Sequence, residues 1–228
     1  MKKRIITMLL AVAMVFSAMT TAYAADGDGV KPRGVFAVSL MILSHESNNA
    51  GSFHFGHSSI MVFNYSSFSI EVGYMTVEPG DYVSVGIYGT EYTPAHGGVW
   101  YNIEANNIDA VKLLPADKYA AAACDITQNG LAALNVCIKN NDYYSLPSHN
   151  CTHFAQMCWN SAVPSNLNIE LVWPSPSNLV DHIKALNLPM PQLPTSKPDT
   201  TIAFRGPYGT VYDRTPFGNI KTYALLFA

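Results

Sequence analysis

Charge is scarce in this 228-residue chain, where lysine, arginine, aspartate and glutamate together make up 13% of the sequence. No basic cluster follows the first few residues. The formal net charge of −3 becomes about −6 once Lys2, Lys3 and Arg4 are set aside, which argues against nucleic acid as a partner. Cysteine is almost as scarce. Cys124, Cys137, Cys151 and Cys158 are the whole complement, too few to build a disulfide scaffold. They lack the close C-x-x-C pairs of zinc sites, and His45, His54, His96 and His182 are too scattered to argue a metal site. No metal or other cofactor is expected. Beyond residue 24 no uninterrupted apolar run approaches the roughly 20 residues that a membrane-spanning helix needs. No internal repeat is evident.

What is present begins with an address. Lys2, Lys3 and Arg4 precede an apolar stretch from Ile5 to about Met19, and Ala22-Tyr23-Ala24 supplies a small-x-small cleavage signature. The expectation is a signal peptide over residues 1–24, cleaved near Ala24, and a secreted or extracytoplasmic mature chain. About 204 residues then remain, enough for one domain with a sizeable core. It is assigned to residues 25–188, with a proline-rich connector and tail over 189–228 packed on the same domain.

The first half reads as strands: VFAVSLMIL from Val35, SSIMVFN after His57, SFSIEVGYMTV, DYVSVGIYG, and then GGVWYNIEA and DAVKLL. The second half reads as helices. QNGLAALNVCIKNN places Leu131, Leu134 and Ile138 at helical spacing, with Asp125 or Thr127 as N-cap. CTHFAQMCWNSA follows Asn150, a good N-cap, and Pro164 ends it. A third helix is expected after Ser177, and the tail has strand-like ends in TIAFRG and IKTYALLFA. Strands first and helices second indicate an α+β fold, with an antiparallel, barrel-like sheet packed against helices.

One stretch carries chemistry. A thiol must lose its proton to attack, and a helix N-terminus and a neighbouring histidine both lower its pKa. Cys151, directly after Asn150, falls in the first turn of its helix. His153 points away from it at i+2, and His149 lies in the preceding loop. His57, 94 residues upstream in Gly56-His57-Ser58-Ser59-Ile60, sits at the mouth of an apolar strand. Spacing alone leaves Cys151 open as a nucleophile, a disulfide half or a buried thiol. Cys158 reads as helix packing, and Cys124 and Cys137 as structural residues, bridged to each other or to Cys158, or reduced in an apolar core.

GHSSIMV followed by NCTHFAQMCWNS resembles the circularly permuted branch of the papain-like, NlpC-type cysteine hydrolases, which includes lecithin:retinol acyltransferase and its relatives. Asn150, Cys151 and Phe154 match that branch's Asn-Cys-x-x-Phe signature, and His153 matches its usual Asn-Cys-Glu-His-Phe, with Thr152 in place of the glutamate. The resemblance covers roughly Val35 to Leu186. It implies Cys151 as nucleophile, His57 as general base, and an oxyanion hole at the helix start from backbone N–H groups at Asn150–Cys151. It also implies a third polar residue on the strand after the histidine. Glu71 is the first candidate there, with Asn64, Asn102 and Glu104 behind it; taken alone, Glu71 reads as a solvated strand residue. The implied activity is a secreted amidase or peptidase acting on peptidoglycan peptides. Alternatives are a lipid or ester acyltransferase or hydrolase of the same fold, and a catalytically weak binding or effector module.

Overall fold

The computed structural model describes residues 34–46, 56–90, 96–198, 202–206 and 209–212. The signal segment and the strand expected at IKTYALLFA lie outside the described residues.

β1 (Val38–His45) and β2 (His57–Asn64) pair antiparallel along their whole length, with Val38 opposite Asn64 and His45 opposite His57. β3 (Ile70–Val72) and β4 (Met75–Val77) form a small hairpin of their own. β5 (Tyr82–Tyr88) pairs with β2 and with β6 (Gly98–Tyr101), which leads into helix α1 (Ile103–Lys112). β7 (Tyr119–Ile126) returns to the other side of β1, and helices α2 (Gln128–Asn140), α3 (Cys151–Ala162) and α4 (Pro176–Ala185) follow. β8 (Ala203–Gly206) and β9 (Gly209–Tyr212) complete a seven-stranded sheet in the order β7-β1-β2-β5-β6-β8-β9, antiparallel throughout. The fold is therefore α+β. Among the described residues the sheet is open rather than barrel-like: β7 and β9 end the row without pairing with each other.

Both faces of the central strands are covered, which is why VSLMILSH reads as a continuous apolar run rather than an alternating one. Leu40, Ile42, Ile60, Val62, Val83 and Val85 meet α2, α3 and α4 through Leu134, Ile138, Phe154, Trp159, Leu179 and Ile183. On the opposite face Met41, Leu43, Met61 and Tyr82 meet α1 through Ala105, Ile108 and Val111. Each large aliphatic side chain buried this completely contributes roughly 1.5–3 kcal/mol. The connector docks as well: Leu193 is buried against the α1 face, and the Tyr82 hydroxyl donates to the Ser196 carbonyl at 2.7 Å.

Several local expectations are corrected. DAVKLL is not a strand, because Ile103–Lys112 is one helix. Its buried Ile103, Glu104, Ala105, Ile108 and Val111 recur with a helix's period. SFSIEVGYMTV breaks at Gly73, whose φ of +60° closes the β3–β4 turn. Ser175, not Ser177, caps α4, accepting from the Asn178 N–H at 3.3 Å. Thr127 rather than Asp125 caps α2.

Candidate active site

Helix α3 starts where its cap sets it. Asn150 is extended (φ −91°, ψ 177°), and its side-chain oxygen accepts from the His153 N–H at 3.0 Å. Its side-chain nitrogen donates to the carbonyls of Pro174 at 2.9 Å and Leu146 at 3.3 Å, so two loops are tied to the helix start. Cys151 thereby opens the first turn, at the positive end of the helix.

β2 starts at His57 because Gly56 turns the chain there. Gly56 has φ +77°, and a Cβ on it would overlap the His45 carbonyl. The imidazole Nε2 lies 2.9 Å from Oε1 of Glu104. The Cys151 thiol and the same ring act on each other's ionisation, the ring favouring the thiolate and the thiolate the imidazolium. With Nε2 committed to the carboxylate, Nδ1 is the nitrogen left for the sulfur. Cys151 and His57 are each 8% exposed and Glu104 3%, so the three groups interact in a water-poor setting.

Glu104 is delivered by the start of α1. Asn102, in a left-handed conformation (φ 66°), donates its N–H to the Ser84 carbonyl at 2.9 Å and accepts the Ser84 N–H on its side chain at 3.1 Å. That double tie holds the helix start to β5. One face of β5 then cradles the carboxylate at the strand period of two. Ser84 donates from Oγ to Oε2 at 3.0 Å, and Tyr88 donates from its hydroxyl to Oε1 at 2.8 Å. Between them Gly86 leaves the gap that Glu104 fills, since a Cβ there would overlap Oε1 and stand 3.0 Å from His57 Nε2. The Tyr88 ring stacks on the His57 ring, centroids 4.5 Å apart at 18°.

Burial opposes charge on all three groups, and their contacts overcome it. Burial pushes the Cys151 thiol up, but the charge and hydrogen bond of His57, with the Ser58 N–H and the Thr152 hydroxyl, bring it below its ordinary value. Burial pulls His57 down, yet Cys151 and then Glu104 lift it to about 10. Glu104 is held below the usual carboxylate range by His57 and Tyr88 against its own burial. At neutral pH the arrangement favours a thiolate beside an imidazolium, backed by a carboxylate.

Cys151 and His57 are therefore together, as the sequence indicated. Glu71 is not with them. It is exposed on β3 and accepts from Thr76 Oγ1 at 2.9 Å; Glu104, a weaker candidate by sequence, takes the third position. Asn64 donates to the carbonyls of Phe68 and Val77, both at 2.9 Å, and serves the β2 turn. Ser84, Gly86, Tyr88, Ser58 and Thr152 were not foreseen, although the alternation in Ser84-x-Gly86-x-Tyr88 is visible once Glu104 is known to face it. A buried hydroxyl chain runs from Thr152 to Ser58 (3.1 Å), on to Ser44 (2.8 Å) and to the Pro176 carbonyl (2.9 Å). His45 lies across from His57 with ring centroids 6.5 Å apart, and burial followed by the His57 charge pulls it down to about 4. His149 stacks on Tyr143, and His153 donates from Nδ1 to the Ser148 carbonyl at 2.8 Å.

Compared with protein-family models, with curated proteins and with solved structures, the chain gives no match.

Proposed function

We propose that the protein is an exported cysteine hydrolase with a permuted papain-like, NlpC-type core, which cleaves amide bonds through a thioester. The observation that carries this reading is a helix-start cysteine and a buried glutamate that both act on His57, the glutamate 2.9 Å from its Nε2.

In the proposed reaction the Cys151 thiolate attacks the amide carbonyl carbon. The carbonyl electron pair moves to oxygen, which meets backbone N–H groups of the first turn of α3 that have no intrahelical partner. The imidazolium of His57 gives its proton to the leaving nitrogen as the C–N bond breaks. Water then attacks the thioester, passing a proton to His57, and the C–S bond breaks to restore the thiolate. Glu104 holds the Nε2–H throughout and stabilises the imidazolium. Activity is expected to rise as Cys151 ionises and to fall near pH 10 as His57 loses its proton.

Export directs the substrate proposal to the peptide amides of the cell wall. A second reading, an acyl-ester hydrolase or acyltransferase using the same residues, is favoured by one observation. Leu146, Val172 and Trp173 expose apolar surface on the two loops tied to Asn150. The buried carboxylate of Glu104 beside His57 supports a catalytic reading over a weak binding or effector module.

The test compares the wild type with Cys151→Ala and His57→Ala on peptidoglycan peptide fragments and on acyl esters, alongside labelling by a chloroacetamide probe. We expect amide turnover that falls by about 10³-fold or more in both variants, and labelling that vanishes in Cys151→Ala. Ester turnover without amide turnover selects the second reading. Labelling that persists in Cys151→Ala overturns both.

A further inference from the structure

Two of the four cysteines face each other away from the active site. Cys137, near the end of α2, and Cys158, in the middle of α3, hold their sulfurs 3.7 Å apart across the contact between the two helices. Cys158 is fully buried and Cys137 partly so, and all four cysteines are reduced in this structure.

We propose that Cys137 and Cys158 are an oxidisable pair that closes into a disulfide, leaving Cys124 and Cys151 as thiols. A disulfide needs its sulfurs about 2.05 Å apart, so closure brings two sulfurs that already face each other at 3.7 Å about 1.7 Å closer. The competing pairings lack this geometry. Cys151 and Cys158 lie seven residues apart on one helix, an axial rise of about 10.5 Å, beyond the Cα separation a disulfide spans. Cys124 is engaged elsewhere, its thiol donating to the Asp125 carbonyl at 3.3 Å.

The sulfurs also differ in a way that sets the order of steps. The Cys158 thiol donates to Cys137 and the Asn141 side-chain amide adds a donor at 3.8 Å, so Cys137 is lowered against its burial, while burial holds Cys158 well up. The oxidant is a donor disulfide, small or borne by an oxidoreductase, of the kind found outside the cytoplasm. The Cys137 thiolate attacks one donor sulfur, breaking the donor S–S bond and releasing one thiolate. Cys158 then gives up its proton, attacks the Cys137 sulfur and releases the second. The two cysteine protons end on the two released thiols. The closed bond encircles residues 137–158, clamping α2 to the helix that carries the nucleophile.

The test uses the reduced full-length chain treated with oxidised glutathione. Free thiols are then blocked with N-ethylmaleimide, and chymotryptic peptides are mapped by mass spectrometry without reductant. Chymotrypsin cuts after Phe154 and so separates Cys151 from Cys158. We expect a Cys137–Cys158 link, blocked Cys124 and Cys151, and a rise of roughly 5–10 °C in the thermal midpoint over the reduced protein. Cys137→Ser should lose both the link and the rise. Cys151→Ala should keep both, which separates this proposal from the hydrolase reading. Four blocked thiols, a link that includes Cys151 or Cys124, or a midpoint rise that survives in Cys137→Ser each overturn it.

Discussion

A buried carboxylate keeps its charge only where enough donors meet it, and Glu104 has His57 Nε2 and the Tyr88 hydroxyl on one oxygen and Ser84 Oγ on the other. A carboxamide in its place offers one acceptor oxygen and an NH₂ group that faces donors. Glu104→Gln should therefore lower turnover by roughly 10²–10⁴-fold. The direction of its pH effect also follows. Glu104 helps lift His57 to about 10, so removing the charge lowers His57 and draws the alkaline limb of the pH–rate profile downward. Glu71→Gln should leave the rate within about twofold, because its carboxylate lies at the surface on the Thr76 hydroxyl, away from His57. Gly86→Ala tests the same carboxylate from the strand side. Its methyl overlaps Oε1 and crowds His57, so a loss of about 10²-fold is expected from misplacement, with overpacking costing about 1–3 kcal/mol in urea unfolding. A Gly86→Ala rate equal to wild type would show that Glu104 does not need that gap.

Among the elements, α3 is the one whose geometry bears most directly on the thiol, and Asn150 both caps it and anchors two loops. Asn150→Ala should cost about 1 kcal/mol of stability by chemical denaturation. It should also raise the pH at which Cys151 becomes reactive to a thiol probe, because the first turn loosens. Unchanged probe kinetics would sever the cap from the thiol's ionisation. The start of α3 was legible because Asn150, Cys151 and the apolar spacing of Phe154, Cys158 and Trp159 are all local features. β1 and β2 were legible for the same reason. β7 was not: Tyr119–Ile126 carries four consecutive alanines, and alanine is a weak strand former. Those residues are strand because they pair with β1 along its full length and are covered on both faces by tertiary neighbours. The third site residue was misplaced for a related reason. The hairpin after β2 folds as its own two-stranded sheet, and the strand that joins β2 is β5. Pairing order, which local pattern does not encode, thus decided between Glu71 and Glu104.

At the scale of the whole molecule, proton counting sets how stability depends on pH. Taken alone, His57 raised to about 10 contributes stability that is complete below 6.5 and lost as pH rises through 10. Cys151, lowered from 9.0, contributes stability that is present above 9 and lost as pH falls through its folded value. As a pair they hold one proton in the folded ion pair. The unfolded chain also holds one on these two groups between about 6.5 and 9, so there they contribute no slope. Below 6.5 the unfolded His57 binds a proton that the folded pair does not. His45, held at about 4 in the fold, adds a second such proton, since it charges in the unfolded chain first. Each proton is worth about 1.4 kcal/mol per pH unit. Urea unfolding should therefore show a plateau between pH 6.5 and 9, with a decline beginning on either side. Below pH 6.5, for as long as Cys151 stays ionised, the acid decline should carry the protons of His57 and His45, and His149, lowered mainly by burial, adds to it. His45→Gln should make that slope shallower and leave the alkaline side unchanged. An equal acid slope in wild type and His45→Gln would mean that His45 takes its proton inside the fold, and the neutral imidazole beside His57 would have to be abandoned.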